Sequence, residues 1–176
     1  FVPKPTGSDL PGLRSAPGPA RPAPERAKPR LRPRPEGLRR PVCAVVLGSS
    51  TGGPEALSRV LKSLAAPLPV PIVVVQHMPP GYTAKFAARL ATATGLDVRE
   101  AADGDRLRPG MAVVAPGGPR HLEIEERRGE FVCVLREGPL VSGHSPSVDV
   151  MFHSVARSVG AHAVGEEDRE VAVRRV

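Results

Sequence analysis

The sequence predicts an α/β fold: a doubly wound, mostly parallel sheet with an added antiparallel hairpin. Residues 42–47 and 72–75 are continuous apolar runs of strand length, and a segment with helical periodicity follows each of them. Strands that are apolar throughout and alternate with helices are typical of a parallel sheet covered on both sides. Farther along the chain, two strand-like runs flank a short polar turn, which indicates a hairpin.

The first half of the domain consists of two strand–helix units. The strand predicted at 42–47 ends in a Gly-rich turn, and Pro54 suits the first turn of a helix at 54–64. Apolar residues recur on one face of this helix. A second buried strand at 72–75 leads into a helix at 82–94, whose apolar residues are also spaced for a core face.

The second half is mixed. Residues 111–115 form a short apolar strand, and 121–125 and 131–135 flank the polar turn of the predicted hairpin. A helix follows at 147–159, with an apolar stripe along it, and 161–165 begins another strand. These elements complete a predicted domain that spans residues 42–165.

The excess positive charge lies in the first quarter of the chain. Residues 1–41 hold ten of the 25 Lys and Arg residues, three of the 18 Asp and Glu residues and eleven of the 22 prolines. Residues 6–41 are therefore predicted to be a disordered Pro/Arg-rich linker, because they have too little apolar surface to offset the entropy lost on folding. Binding of nucleic acid is an open alternative, but no aromatic residue is available there for base stacking. That alternative requires an affinity that falls steeply with salt and is lost without 1–41.

Composition excludes several classes of protein. Two cysteines cannot form a disulfide framework. No apolar run approaches the roughly 18 residues of a membrane span, so we expect no membrane insertion. No signal peptide opens the chain, and we expect a cytoplasmic protein. No histidine has metal-ligand spacing with cysteines or carboxylates, and no nucleotide-binding glycine motif is present, so we predict no metal ion and no cofactor.

The turn after the first strand can carry chemistry. Residues 48–52 fit the spacing Gly-x-Ser-x-Gly, in which small residues permit a tight turn that presents the hydroxyl of Ser50. The backbone amides that follow, at the start of a helix, can face an oxyanion. A Gly-rich turn whose serines cap the helix explains the same residues, and this alternative stays open.

The turn after the second strand supplies a base. His77 follows the apolar run 72–75, and neighbouring parallel strands would bring it close to Ser50 at their carboxyl ends. A serine needs a base to become a nucleophile, and histidine is the usual one near neutral pH. A structural role for a histidine at a strand end is the competing interpretation.

Four segments together resemble the catalytic domain of the chemotaxis protein-glutamate methylesterase/glutamine deamidase family of response regulators (CheB-type). They are Gly-Ser-Ser-Thr-Gly-Gly-Pro-Glu-Ala-Leu at 48–57, Val-Val-Gln-His-Met-Pro-Pro-Gly-Tyr-Thr at 74–83, Ala-Pro-Gly-Gly at 115–118 and Ser-Pro-Ser-Val-Asp-Val-Met-Phe at 145–152. The resemblance implies hydrolysis of glutamyl methyl esters, and deamidation of glutamines, on methyl-accepting chemotaxis receptors. It also implies a catalytic Ser50 and His77, with Thr51, Gly52 and Gly53 supporting the oxyanion turn.

The first residues extend the resemblance. Residues 1–5, Phe-Val-Pro-Lys-Pro, are similar to the end of a receiver domain, which this family joins to the esterase through a linker. The resemblance implies phosphorylation by a chemotaxis histidine kinase through the missing receiver domain. We therefore expect the chain to be a part of a longer protein, truncated at both ends.

The sequence departs from the family after residue 165. Where the family carries a Leu-Thr-Gly-Met-Gly-x-Asp-Gly segment with the Asp of its catalytic triad, this chain has Glu-Glu-Asp-Arg at 166–169. We expect 166–176 to be an atypical charged tail, natural or produced by a frameshift, and the triad Asp to be absent. Asp168 gets no catalytic role, because a charged run is usually a solvated face. Impaired activity follows, and a non-catalytic module that binds receptor or kinase is the alternative function.

Overall fold

The computed structural model describes residues 42–64, 68–160, 163–167 and 172–174. The predicted receiver-like end at 1–5 and the linker at 6–41 lie outside the described residues, as does most of the tail. The chain runs through β1 (Ala44–Ser49), α1 (Gly53–Ser63), β2 (Ile72–Gln76), α2 (Tyr82–Thr94), β3 (Asp97–Glu100), β4 (Met111–Val114), β5 (Arg120–Arg127), β6 (Glu130–Glu137), α3 (Val148–Ser158), β7 (Ala163–Glu167) and β8 (Ala172–Arg174).

Among the described residues, six strands form one sheet in the order β3-β4-β2-β1-β7-β8, and β5 and β6 form a separate pair. β1 pairs in parallel with both β2 and β7, while β4 pairs in parallel with β2 and β3. β8 is antiparallel to β7. The predicted α/β class, with a mostly parallel sheet and an antiparallel hairpin, is confirmed.

Helices cover both faces of this sheet. Leu57 and Leu61 of α1 and Phe86 and Leu90 of α2 are buried in one cluster with alternate residues of the central strands. The opposite face packs against α3 and the hairpin β5–β6, through a second cluster that includes Met151. The central strand β2 is buried at every position, which explains its continuous apolar sequence.

Two glycines bring α3 close to the sheet. A Cβ at Gly48 in β1 would lie 2.9 Å from Val148 Cγ2, and one at Gly165 in β7 would lie 2.5 Å from Phe152 Cε1. Neither distance is compatible with normal packing, so any side chain at these positions would push the helix away. The loop before α3 is thereby held at the carboxyl edge of β1.

The hairpin turn has the geometry that its residues favour. Arg127 pairs with Glu130, and the two residues between them, Arg128 and Gly129, have φ values of 55° and 79°. Positive φ at both central positions is typical of the tight turns that match the twist of a hairpin. Beside this turn, the Arg136 guanidinium holds the pKa of Glu125 below its usual range, and Arg127 adds to the effect.

The structure differs from the predicted elements at four strands. β1 continues through Gly48 and Ser49, which the sequence assigned to the turn, because both residues still pair with β2 and Gly48 also pairs with β7. β3 was not predicted, since only Val98 of its four residues is buried. β7 extends to Glu167, and β8 follows at the sheet edge, within the segment expected to be an atypical tail.

Candidate active site

The turns after β1 and β2 lie side by side at the carboxyl edge of the sheet. Ser49 pairs in register with Gln76, so Ser50 and His77 are the next residues of the two strands. The backbone N–H of His77 donates to the carbonyl oxygen of Ser49 at 3.0 Å, which extends the ladder. Neighbouring strands lie about 4.8 Å apart. The structure therefore brings the two predicted catalytic residues to adjacent positions.

A buried amide joins these two turns. The side chain of Gln76 is 1% exposed, and its Nε2 donates to the carbonyl oxygens of Ser50 at 2.9 Å and His77 at 3.1 Å. Its Oε1 accepts from the hydroxyl of Ser49 at 2.6 Å. Three hydrogen bonds from one buried side chain fix the spacing of the backbone segments that carry Ser50 and His77. We call this arrangement the Gln76 bridge.

The start of α1 closes over the Gln76 bridge. A Cβ at Gly53 would overlap Oε1 of Gln76 and would lie 2.7 Å from the hydroxyl oxygen of Ser49. The N–H of Gly53 donates to the carbonyl oxygen of Ser50 at 3.0 Å, and Thr51 and Gly52 are exposed at the turn. The N-cap of α1 is Gly52, with a φ of 80°, rather than a capping serine. The positive end of the helix therefore lies beside Ser50.

A second histidine lies against His77. The rings of His77 and His144 are stacked, with centroids 3.9 Å apart and planes inclined by 5°. Nδ1 of His144 lies 2.8 Å from the carbonyl oxygen of Ser142, a geometry in which the ring nitrogen donates. The hydroxyl of Ser142 donates to Asp149 at 2.6 Å. The loop before α3 thus contributes a ring, held by its own hydrogen bonds, to the face of His77.

Three of the four aspartates in the described part of the chain have local hydrogen-bond partners. Asp103 accepts from the backbone N–H of Leu135, Asp105 accepts from that of Ala102, and Asp149 accepts from Ser142. Asp97 is the first residue of β3, at the opposite end of that strand from the active-site edge of the sheet.

At the end of β7, Glu167 pairs in register with Gly48, next to the turn of Ser50. Asp168 lies outside the described residues.

His121 has a structural role. It is 4% exposed, its Nδ1 accepts from the backbone N–H of Ser147 at 3.0 Å, and its Nε2 lies 2.9 Å from the carbonyl oxygen of Pro139. These bonds define a neutral ring that donates from Nε2. The ring connects the hairpin to the N-cap of α3, which explains a buried histidine outside the active site.

No cluster of three or more His, Cys, Asp or Glu side chains suited to a metal ion occurs in the described part of the chain. None of the helices that the structure describes is long and apolar enough to cross a membrane.

Sequence reasoning missed two components of this site. Gln76 lies within the 74–83 segment, where a polar residue at the end of an apolar strand is a usable signal of a role. The position of His144 against His77 depends on how α3 packs on the sheet. No local pattern in the sequence encodes that contact.

Comparison with known proteins identifies what the chain is similar to. A family model described as CheB methylesterase matches residues 45–165. The chain is 50% identical over 153 residues to protein-glutamate methylesterase/protein-glutamine glutaminase 1 of Anaeromyxobacter dehalogenans, covering 87% of this chain and 42% of the relative. It is 46% identical over 121 residues to the corresponding protein of Escherichia coli K12, covering 69% of this chain and 34% of the relative.

A solved structure agrees with these matches. The crystal structure of the Thermotoga maritima CheB methylesterase catalytic domain superposes with a TM-score of 0.67 at 37% identity, covering 70% of this chain and 65% of that one. The chain therefore spans less than half the length of the two curated relatives and about two thirds of the solved domain.

Proposed function

The chain belongs to the CheB methylesterase family, and on that premise we propose that it hydrolyses glutamyl methyl esters and deamidates glutamines on methyl-accepting chemotaxis receptors. Relatives named protein-glutamate methylesterase/protein-glutamine glutaminase support the reaction class. The observation that carries the proposal is the adjacent placement of Ser50 and His77 at the ends of β1 and β2, joined by the Gln76 bridge.

Acyl transfer accounts for both reactions. The hydroxyl oxygen of Ser50 attacks the glutamyl carbonyl carbon while His77 accepts the hydroxyl proton. The tetrahedral intermediate collapses as His77 returns that proton to the leaving group, which departs as methanol from an ester or as ammonia from an amide. Water, deprotonated by His77, then attacks the carbonyl carbon of the Ser50 glutamyl ester. His77 returns this proton to the departing Ser50 oxygen, and the glutamic acid product ionises to its carboxylate.

The oxyanion of this intermediate needs hydrogen-bond donors. The N–H of Gly53 already donates to the carbonyl oxygen of Ser50 and serves the turn. The backbone amides of Thr51 and Gly52, at the positive end of α1, are our candidates for the donors. Gly53 supports them indirectly, because its lack of a side chain lets the turn close over the Gln76 bridge.

The segment after residue 165 affects the expected turnover rate. We propose that turnover is impaired, since Glu-Glu-Asp-Arg at 166–169 replaces the segment in which the resembled family carries its triad Asp. Loss of the Asp that orients the histidine lowers turnover in serine proteases by about 10⁴-fold. The same substitution of this segment favours the alternative function, a non-catalytic module of the same fold that binds receptor or kinase.

The partners follow from the proposed reaction. The substrate is the cytoplasmic part of a chemotaxis receptor, so we place the protein in the cytoplasm. Control by a chemotaxis histidine kinase would act through a receiver domain like the one that residues 1–5 resemble. Neither a metal ion nor a cofactor takes part in the proposed steps.

Methanol release from methyl-esterified receptor tests the proposal. The 176-residue chain is compared with Ser50→Ala and His77→Gln variants that have the same circular dichroism spectrum. We expect release by the wild-type chain above both variants, and labelling of Ser50 by a serine-reactive phosphonate. A folded wild-type chain that releases no more methanol than Ser50→Ala contradicts the esterase proposal and supports the binding module.

A further inference from the structure

A chain of hydrogen bonds connects β3, α2 and the segment after β4. The hydroxyl of Thr83 is fully buried and donates to a carboxylate oxygen of Glu100. The same hydroxyl oxygen accepts from the backbone N–H of Gly117 at 3.0 Å. Because the hydroxyl donates to one partner and accepts from another, its orientation is fixed.

Gly117 in turn contacts the backbone that follows His77. A Cβ at Gly117 would lie 2.6 Å from the carbonyl oxygen of Met78 and 2.8 Å from that of Pro79, so the two backbones touch directly. This contact accounts for the glycine at the third position of the Ala-Pro-Gly-Gly motif at 115–118, a motif that the proposed chemistry does not use.

The turn of His77 is therefore held from two sides. On one side, the Gln76 bridge binds the carbonyl oxygen of His77 at 3.1 Å. On the other side, Gly117 packs against the next two residues, and its own position is fixed by Thr83.

Glu100 strengthens this second support through charge. Thr83 is the second residue of α2, and the first turn of this helix contains no acidic residue of its own. Glu100, at the carboxyl end of β3, therefore supplies a negative charge at the positive end of the helix, where a carboxylate is favoured. The carboxylate thus orients the hydroxyl and stabilises the start of the helix that follows the His77 turn.

We propose that Thr83, oriented by Glu100, is a positioning residue that holds His77 in place for proton transfer. The inference rests on the proposed function, in which His77 is the general base. Removal of the Thr83 hydroxyl frees the N–H of Gly117 and loosens its contact with the turn. A displacement of 1 Å in such a site costs about 100-fold in rate, so a shift of roughly half that size costs about tenfold.

The test substitutes Thr83→Val, which preserves the shape of the side chain and removes both hydrogen bonds. We expect kcat for methanol release to fall about tenfold with KM within about twofold, and Thr83→Ser to restore most of the rate. Thr92→Val is the matched control, because Thr92 is exposed on the same helix and its hydroxyl donates to the carbonyl oxygen of Ala88, within that helix. A Thr83→Val variant that turns over as fast as Thr92→Val overturns the inference.

A second readout separates this inference from the proposed function. In the full chain, NMR resonances of the His77 ring are expected to shift or broaden in Thr83→Val, while those of the exposed His153 on α3 stay unchanged. If the wild-type chain releases no methanol, the proposed function fails, and this NMR comparison still decides whether Thr83 positions His77. Unchanged His77 resonances contradict the inference.

If Thr83→Val does not fold, Glu100→Gln replaces it. We expect the same ring resonances of His77 to shift in this variant, and unchanged resonances contradict the inference.

Discussion

A methyl group added at Gly53 tests the tightest part of the site. Gly53 starts α1, and its φ is not in the left-handed region, so alanine is compatible with the backbone. The new Cβ would nonetheless overlap Oε1 of Gln76 and lie 2.7 Å from both Cβ and Oγ of Ser49. Neither neighbour can yield easily, because both are buried and hydrogen-bonded to each other at 2.6 Å.

The cost of Gly53→Ala follows from these contacts. Overpacking of a well-packed core costs about 1–3 kcal/mol, and breaking a buried hydrogen bond costs about 1–3 kcal/mol more. The higher helix propensity of alanine offsets a fraction of this destabilisation. We expect a net loss of about 3 kcal/mol, which for a protein of this size lowers Tm by roughly 6–12 °C. Displacement of the Gln76 bridge by about 1 Å also lowers kcat by about 100-fold.

The assay combines thermal unfolding with methanol release per folded molecule. Gly95→Ala is the control, since Gly95 ends α2 with a φ of 72° and has open space around it. Left-handed backbone at an alanine costs about 1 kcal/mol, so this variant should lose roughly 2–4 °C in Tm and keep its turnover. If the Tm of Gly53→Ala is no lower than that of Gly95→Ala and its kcat is retained, the Gln76 bridge does not position the site.

Three further predictions concern the bridge and the core. Gln76→Glu turns the Nε2 donor into an acceptor that faces two carbonyl oxygens. We expect kcat in the same methanol assay to fall by about tenfold or more, with KM nearly unchanged. Burial raises the pKa of the Cys133 thiol from 9.0 to about 12. The free energy of unfolding should therefore fall as the pH rises from 9.0 toward about 12, by on the order of 1 kcal/mol per pH unit. Urea titrations should show this slope in the wild type and a shallower one in Cys133→Ala. Ser154→Ala leaves the buried N–H of Ile124 without its acceptor at 2.9 Å, which should cost about 1–3 kcal/mol and speed hydrogen exchange of that amide; unchanged exchange would contradict the assigned bond.

Local sequence patterns predicted most of the fold. β2 is apolar at positions 72–75 because every one of these residues is buried on both faces of the sheet. α2 shows a 3.6-residue spacing because Phe86 and Leu90 face the sheet while the intervening residues do not. β3 was not predicted, because an edge strand with one buried residue has too little hydrophobic periodicity to distinguish it from a loop. β8 has three residues in the described part of the chain, a length too short to show a periodicity.

The sequence by itself determined the fold class, most of the elements and the two turns that carry Ser50 and His77. Each of these depends on residues that are neighbours in the chain: an apolar run, a Gly-rich break and a polar side chain after it. Tertiary structure alone decided how those turns meet. The Gln76 bridge requires the register of β1 against β2, the His144 stack requires α3 to dock on β1, and the bond from Gly117 N–H to Thr83 joins residues 34 positions apart. Such contacts depend on packing between elements distant in sequence, so the physical support of the site becomes visible only in the folded chain.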